Sequence, residues 1–356
     1  MAAMTPRTLF HILIVLPLLA AVPARADFAG AIAAYNEGDF ATALSEFETL
    51  AEDGDANAQS LLALMYIEGR AVEPNMGEAL RWYVAAAEQG QVDAQYALAN
   101  ISLDGVGGVT PDPATGALWM GEAARRGHMF AQFDLANMYA TGHGVDQSDA
   151  EAARWFEAAA EQGHIDAQYN FATLLMAGRG VEQDPETAVG WFRSAAEQAH
   201  AKAEFNLGVA YLNGQGVERD LPEAARWFRL AADQGELSAT VAMGLLLVRG
   251  EGVEQDHAGG AQLMRTAAEQ GSPEGQYLLA VLYTRGLGVE QDPVEAYAWL
   301  DIAGSHEANS AELTGKVDAL HAWLTERMTD SEIAEARAVA RERARTFAST
   351  MSAVTY

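Results

Sequence analysis

The sequence predicts an all-α protein, an α-solenoid of stacked antiparallel helix pairs wound as a right-handed superhelix and closed by a C-terminal helical cap. Three observations lead there. A phrase of the type Ala-Ala-Glu-Gln-Gly ends at Gly54, Gly90, Gly127, Gly163, Ala199, Gly235 and Gly271, at intervals of 36, 37, 36, 36, 36 and 36 residues. A bulky position keeps the same interval at Trp82, Trp119, Trp155, Trp191, Trp227, Leu263 and Trp299. A Gly-x-Gly-Val loop recurs with its first glycine at Gly142, Gly178, Gly214, Gly250 and Gly286. Self-similarity at such a period marks a row of supersecondary units rather than one compact domain.

Residues 164–199 show how one unit reads. Ala167, Phe171, Leu174 and Leu175 fall three or four apart and make one helical face. Gly178 and Gly180 end that helix, because glycine accepts left-handed backbone angles. Asp184-Pro185 begins the next, since aspartate caps free N–H groups and proline suits the first helical position. Ala188, Trp191, Phe192 and Ala195 supply its apolar stripe, and Ala199 turns the chain into the following unit. Caps recur in register at Asn75, Asp112, Ser148, Asp184, Asp220, Asp256 and Asp292. The pairs Asn75/Glu78, Ser148/Glu151, Asp220/Glu223 and Asp292/Glu295 read as capping boxes. One helix pair cannot bury its own stripe, whereas stacking on its neighbours does. The alanines allow close approach and the tryptophans fill the space between pairs. An extra glycine in Gly105-Val106-Gly107-Gly108-Val109 accounts for the 37-residue step, and Gly69-Arg70-Ala71-Val72 is a weaker copy of the loop.

The ends differ from the repeats. Residues 1–26 read as a cleaved signal peptide: Arg7 gives the positive start, Leu9 to Ala21 is an apolar run too short to span a bilayer comfortably, and Ala24-Arg25-Ala26 offers small residues at the two positions read by a peptidase. Residues 27–303 then form a solenoid of about eight helix pairs, and 304–356 capping helices and a tail, with helices expected at about 306–327 and 331–347. Arg337, Arg341, Arg343 and Arg345 are the one basic concentration. They read as a solvated face or an intramolecular partner for acidic repeats, with docking of an acidic partner as a third option.

Composition narrows the function. With 50 acidic against 22 basic residues the formal charge is −28, and loss of Arg7 and Arg25 with the signal would make it −30. Such a surface repels nucleic acid and anionic lipid, so neither is an expected partner, and no membrane insertion is expected after signal cleavage. The chain has no cysteine. Disulfides, thiolate metal sites, cysteine nucleophiles and a lipoprotein anchor are therefore excluded. No Gly-x-Ser-x-Gly elbow, phosphate-binding Gly-x-x-x-x-Gly-Lys-Ser/Thr loop or His-Glu-x-x-His occurs, and Lys202 and Lys316, the only lysines, complete no Ser-x-x-Lys. His128, His164 and His200 share one register position. At about 10 Å per stacked helix pair they stand too far apart for one metal, so a role in the repeat is expected. No catalytic residue, metal or cofactor is expected.

The pattern Ala-Gln-Tyr/Phe-x-Leu-Ala/Gly, Tyr-x-x-Gly-x-Gly-Val, Asp-Pro, Ala-x-x-Trp-Phe and Ala-Ala-Glu-Gln-Gly, nearly complete in 128–163, resembles the Sel-1-like repeat family, relatives of the tetratricopeptide repeats. The resemblance covers about residues 28–303; the shorter first unit, with Tyr35-Asn36-Glu37-Gly38-Asp39-Phe40, looks more like a plain tetratricopeptide turn, and residues 296–345 look like the C-terminal end of bacterial members. It implies a concave groove lined by the first helix of each pair. Carried over position by position, one groove column is Ser60, Tyr96, Phe133, Tyr169, Phe205, Val241 and Tyr277, and a second is Leu64, Asn100, Asn137, Thr173, Val209, Leu245 and Val281. The aromatics read either as grips for apolar side chains or as packing between repeats. Asn100 and Asn137 are the better candidates, because an amide can both donate to and accept from a peptide backbone.

The resulting expectation is a periplasmic or secreted non-enzymatic adaptor or regulator that holds a protein or peptide in this groove. Two other classes stay open: a cell-envelope enzyme acting on β-lactams or peptidoglycan, suggested by cysteine-rich relatives whose framework this chain lacks, and a surface-exposed binder of host or neighbouring cells.

Overall fold

The computed structural model describes residues 26–306 and 309–354, with side chains from 28 to 347. The expected signal segment lies outside the described residues, apart from Ala26. Among the described residues the regular structure is helical throughout, and no helix is long and apolar enough to cross a membrane. Two compact units are distinguished: one runs to residue 131 and includes 143–145, and the other comprises 132–142 and everything from 146 onward.

The first unit contains α1 (Ala26–Glu37), α2 (Phe40–Glu52), α3 (Ala56–Glu68), α4 (Met76–Glu88), α5 (Val92–Asp104) and α6 (Pro113–Arg125). Each helix packs on the next in sequence, with Phe47, Leu62 and Met65 buried in one cluster and Tyr83, Leu98 and Ile101 in another. Helix α7 (Met129–Thr141) follows, and its residues from Gln132 belong to the second unit. That unit continues with α8 (Asp149–Glu161), α9 (Ile165–Ala177), α10 (Pro185–Ala196), α11 (Ala201–Asn213), α12 (Leu221–Asp233), α13 (Leu237–Arg249), α14 (His257–Glu269), α15 (Pro273–Arg285), α16 (Pro293–Gly304), α17 (Ala311–Thr325) and α18 (Asp330–Val354). The helix pairs stack in sequence from α8 to α16, and α17 and α18 both pack on α16. Val317, Leu324, Ala336 and Ala340 thereby cover Tyr297, Trp299 and Leu300, the apolar face that the last pair would otherwise show to water. The described α17 begins later than its sequence suggests. Ser310 caps it by accepting from the Leu313 N–H, and the Asn309 amide donates back to the Ala303 carbonyl.

The seven predicted caps in the repeats all accept a backbone N–H. Asn75, Asp112, Asp184, Asp220, Asp256 and Asp292 each accept a backbone N–H two or three residues on, and Ser148 accepts from Glu151. The capping boxes are only half made. The backbone N–H of Asn75, Ser148, Asp220 and Asp292 donates instead to the carbonyls of Tyr66, Tyr139, Tyr211 and Tyr283. The glutamates are thus released to arginines: Glu78 pairs with Arg81, Glu151 with Arg154 and Glu223 with Arg226, while Glu295 pairs with Arg343. Three of those arginines lie over the tryptophan that follows them in sequence, at 4.3 Å (Arg81/Trp82), 4.4 Å (Arg154/Trp155) and 3.9 Å (Arg226/Trp227) from the ring centre, so cap, ion pair and cation–π contact form one device in each of these three repeats.

The second glycine of four of the loops has a reason beyond its turn. Gly180, Gly216, Gly252 and Gly288 all have φ near +70°. A Cβ on them would lie 1.9–2.4 Å from the backbone at Asp149, Pro185, Leu221 and His257, the first residues of α8, α10, α12 and α14. Each loop therefore rests directly on the start of a helix 31 residues earlier, and no side chain fits between.

Candidate functional site

The first helices of the pairs carry the residues that the resemblance placed in a groove. In the first unit these are Tyr96 and Asn100 on α5, both half-buried; Ser60 on α3 is buried. In the second unit Phe133 and Asn137 on α7, Tyr169 on α9, Phe205 on α11 and Tyr277 on α15 are half-buried, Thr173 on α9 is exposed, and Val241 on α13 is buried.

The aromatic column meets the histidine register. Tyr96 stacks on His128 with ring centres 4.4 Å apart, Phe133 on His164 at 4.2 Å, and Tyr169 on His200 at 4.8 Å. Each histidine also caps the helix it precedes: Nδ1 accepts the backbone N–H of Ala131, Ala167 and Ala203, respectively. One ring therefore caps the start of a helix and packs on the aromatic of the preceding first helix, which accounts for both columns together. Phe133, Tyr169 and Phe205 further pack on Phe156, Phe192 and Phe228 of their own pairs. These aromatics keep only part of their surface for a ligand.

An Nδ1 that accepts a cap bond must be unprotonated. Burial is the main cause holding the His128 and His164 imidazoles below the usual histidine range, against nearby aspartates that push the other way. A pKa lower in the folded than in the unfolded chain gives stability that is complete above the unfolded value, near 6.5, and is lost as pH falls through the folded one. His164→Asn retains a cap acceptor without a titrating ring. The unfolding free energy of the wild type, from urea denaturation, should fall relative to this variant between pH 7.5 and pH 5.5 by about 1 kcal/mol, the worth of a cap; a parallel pH dependence of the two would refute the assignment.

The two asparagines singled out by sequence are partly engaged. The amide of Asn100 donates to the Tyr96 carbonyl and that of Asn137 to the Phe133 carbonyl, both at 3.0 Å and one turn back in their own helices. Sequence reasoning passed over two others. Asn170 and Asn206 follow Tyr169 and Phe205 at the same 36-residue interval, are half-buried on α9 and α11, and make no side-chain hydrogen bond among the described residues. The signal was an asparagine recurring one position after the aromatic.

A shallow cavity of about 270 Å³ between α16 and α18 is lined by Asp301, Arg337 and Arg341 over Ile302 and Ala340. Asp301 is held by His321 at 2.9 Å, and Arg337 donates to the Tyr297 hydroxyl. Of the C-terminal arginines, Arg343 is an intramolecular partner: it pairs with Glu295 at 2.7 Å and lies over Trp299. Among the described residues no group of three or more His, Asp or Glu side chains is placed to hold a metal ion.

No curated protein sequence matches the chain. Among solved structures it is similar to a Sel1 repeat protein from Oxalobacter formigenes, with 30% identity over 83% of this chain and 91% of that one and a TM-score of 0.59. It is also similar to a protective antigen of uropathogenic Escherichia coli strains displaying an SLR fold, with 26% identity over 91% of this chain and 84% of that one and a TM-score of 0.43. The family model of the Sel1 repeat matches seven consecutive segments, 56–91, 92–128, 130–164, 165–200, 201–236, 237–272 and 273–306, which together take up most of the chain. With its helix pairs, loop glycines and caps in that register, the chain belongs to the Sel1 repeat family.

Proposed function

We propose that this protein is an exported, non-enzymatic adaptor or regulator that holds a protein or peptide on the first helices of its repeats. Sel1 repeats typically mediate protein–protein interaction. The observation that carries the reading to this chain is the division of labour among its polar groups. The caps, the arginines paired with cap-box glutamates, and His128, His164 and His200 are committed to turns and seams, whereas the half-buried amides of Asn170 and Asn206 on adjacent first helices have no partner among the described residues. An unpaired amide beside a partly exposed aromatic suits an extended peptide, whose backbone supplies both a donor and an acceptor. Asn137 and Thr173 belong to the same helix faces, and Tyr96 with Asn100 form the corresponding face in the first unit. Export rests on the N-terminal signal pattern.

The test is affinity capture from periplasmic extract with residues 27–356 as bait, beside Asn170→Ala/Asn206→Ala and Asn100→Ala/Asn137→Ala variants of matched helicity. A partner held by the parent and weakened at least tenfold by the first variant supports the reading. Retention by both variants moves the site off these faces. Capture of nothing, together with turnover of a chromogenic β-lactam or of muropeptides by the pure protein, would replace the adaptor with an enzyme.

A further inference from the structure

A buried side chain recurs at each seam between pairs, four residues into the first helix. In five of the first helices it is a glutamine, Gln59, Gln95, Gln132, Gln168 and Gln276, and on α13 it is Thr240. The Nε2 group of Gln59, Gln95, Gln168 and Gln276 donates to the carbonyl of Ala51, Ala87, Ala160 and Ala268, eight residues earlier at the end of the preceding helix, at 3.0–3.3 Å. The Oε1 atoms of Gln59, Gln168 and Gln276 accept from the residue thirty positions later: Gln89, Gln198 and His306. The ladder thus ties the end of one helix to the start of the next and then to the following turn.

At the seam between α10 and α11 this position is Glu204, only 3% exposed. It keeps the second bond, accepting from Gln234 Nε2 at 2.6 Å. The first bond requires a donor, and an ionised carboxylate has none. The same seam departs from the repeat a second time. Its turn residue is Ala199 with φ +61°, where the other turns have glycine, so the backbone carries the left-handed strain that a Cβ brings.

We propose that Glu204 is a proton-operated joint: the neutral carboxyl donates to the Ala196 carbonyl as the glutamines do at their seams, and ionisation removes that bond and loosens α10 from α11. The groups facing the carboxyl set the balance. Burial, the largest influence, favours the neutral form and raises its pKa. The Gln234 amide and the Arg226 guanidinium of α12 favour the ionised form, but Arg226 is already bound to Glu223 on its own helix. Arg193 of α10 is turned to the Tyr211 hydroxyl. A pKa raised by folding means that the closed seam is fully stable below the unfolded value and weakens as pH rises through the folded one. This direction is opposite to that of the histidine caps, so the two devices can be separated.

The test compares amide-hydrogen protection factors for residues 196–207 at pH 8 and pH 4 in the full chain, in Glu204→Gln and in Ala199→Gly. Glu204→Gln restores a permanent donor and should raise protection at the seam roughly tenfold at pH 8, the scale of one buried acceptor regained, and by less than twofold at pH 4. Ala199→Gly relieves the same seam without touching a titratable group, so its gain should be the same at both pH values. The proposal stands if the effect of Glu204→Gln changes with pH while that of Ala199→Gly does not. It falls if the two variants keep a constant ratio, or if Glu204→Gln protects no better than the parent at pH 8.

Discussion

Gly288→Ala should destabilise the second unit by about 3–5 kcal/mol, far more than an alanine normally costs in a surface loop. Two effects add. At φ +71° an L-residue carries roughly 1–2 kcal/mol of left-handed strain. The larger effect is the missing space: a Cβ would sit 1.9 Å from the His257 carbonyl oxygen and 2.3 Å from its carbon. Both atoms belong to the backbone at the start of α14, so no rotamer change relieves the overlap, and the loop must lift off the helix on which it rests. Gly163→Ala separates the two effects. Gly163 has φ +93° and nothing within 4 Å of an added Cβ, so it should lose only the strain energy. Urea denaturation of both variants measures the difference, and equal losses would show that the close approach at Gly288 carries no energy.

Phe228→Ala should cost a further 3–5 kcal/mol, the usual range for emptying a buried aromatic site. Its ring is fully buried, packs on Phe205 with centres 5.7 Å apart, and belongs to the cluster of Ala224, Ala231, Ala239 and Met243 from α12 and α13. The same ring explains why α11 has a glycine in mid-helix. A Cβ on Gly208 would lie 2.7 Å from two Phe228 ring carbons, so the aromatic occupies the space an alanine methyl would take. Gly208→Ala should therefore destabilise the wild type by overpacking. In the Phe228→Ala background it should stabilise, by about 1 kcal/mol from helix propensity, with a further contribution from filling the void. A double-mutant cycle reads this reversal of sign. Additive effects would mean that the two positions do not share the space.

Much of this was legible in the chain. Period, helix pairs, caps and the family all follow from residues that repeat in register, because each unit solves the same local problem and leaves the same trace: an aspartate where N–H groups need an acceptor, a glycine where the backbone turns left, a tryptophan where a gap opens. The partial formation of the capping boxes was not legible. Glu78 and Glu151 have the right spacing, but the carbonyls of Tyr66 and Tyr139 reach the cap N–H first, and that competition depends on how the loop folds back onto the preceding helix. The histidine register showed that a role existed without showing which one, since the stack of His164 on Phe133 joins residues from two helices.

The candidate binding residues divide along the same line. The groove positions carried over from the family resemblance mark which side chains share a helix position, and so they supplied Asn100 and Asn137. Whether an amide is free depends on where its hydrogens point, and there Asn100 and Asn137 turn to their own backbone while Asn170 and Asn206 do not. Glu204 makes the contrast sharpest. The repeat register already sets it where other units have glutamine. Only packing shows what the change means, by burying it where Gln59, Gln95, Gln168 and Gln276 donate a hydrogen bond. The sequence by itself determined the repeat, its caps and its turns, because these are problems solved within about a dozen residues. The tertiary structure decided which polar groups are satisfied and which remain available, because hydrogen bonds across a seam join residues eight or thirty positions apart and form only when the helices have stacked.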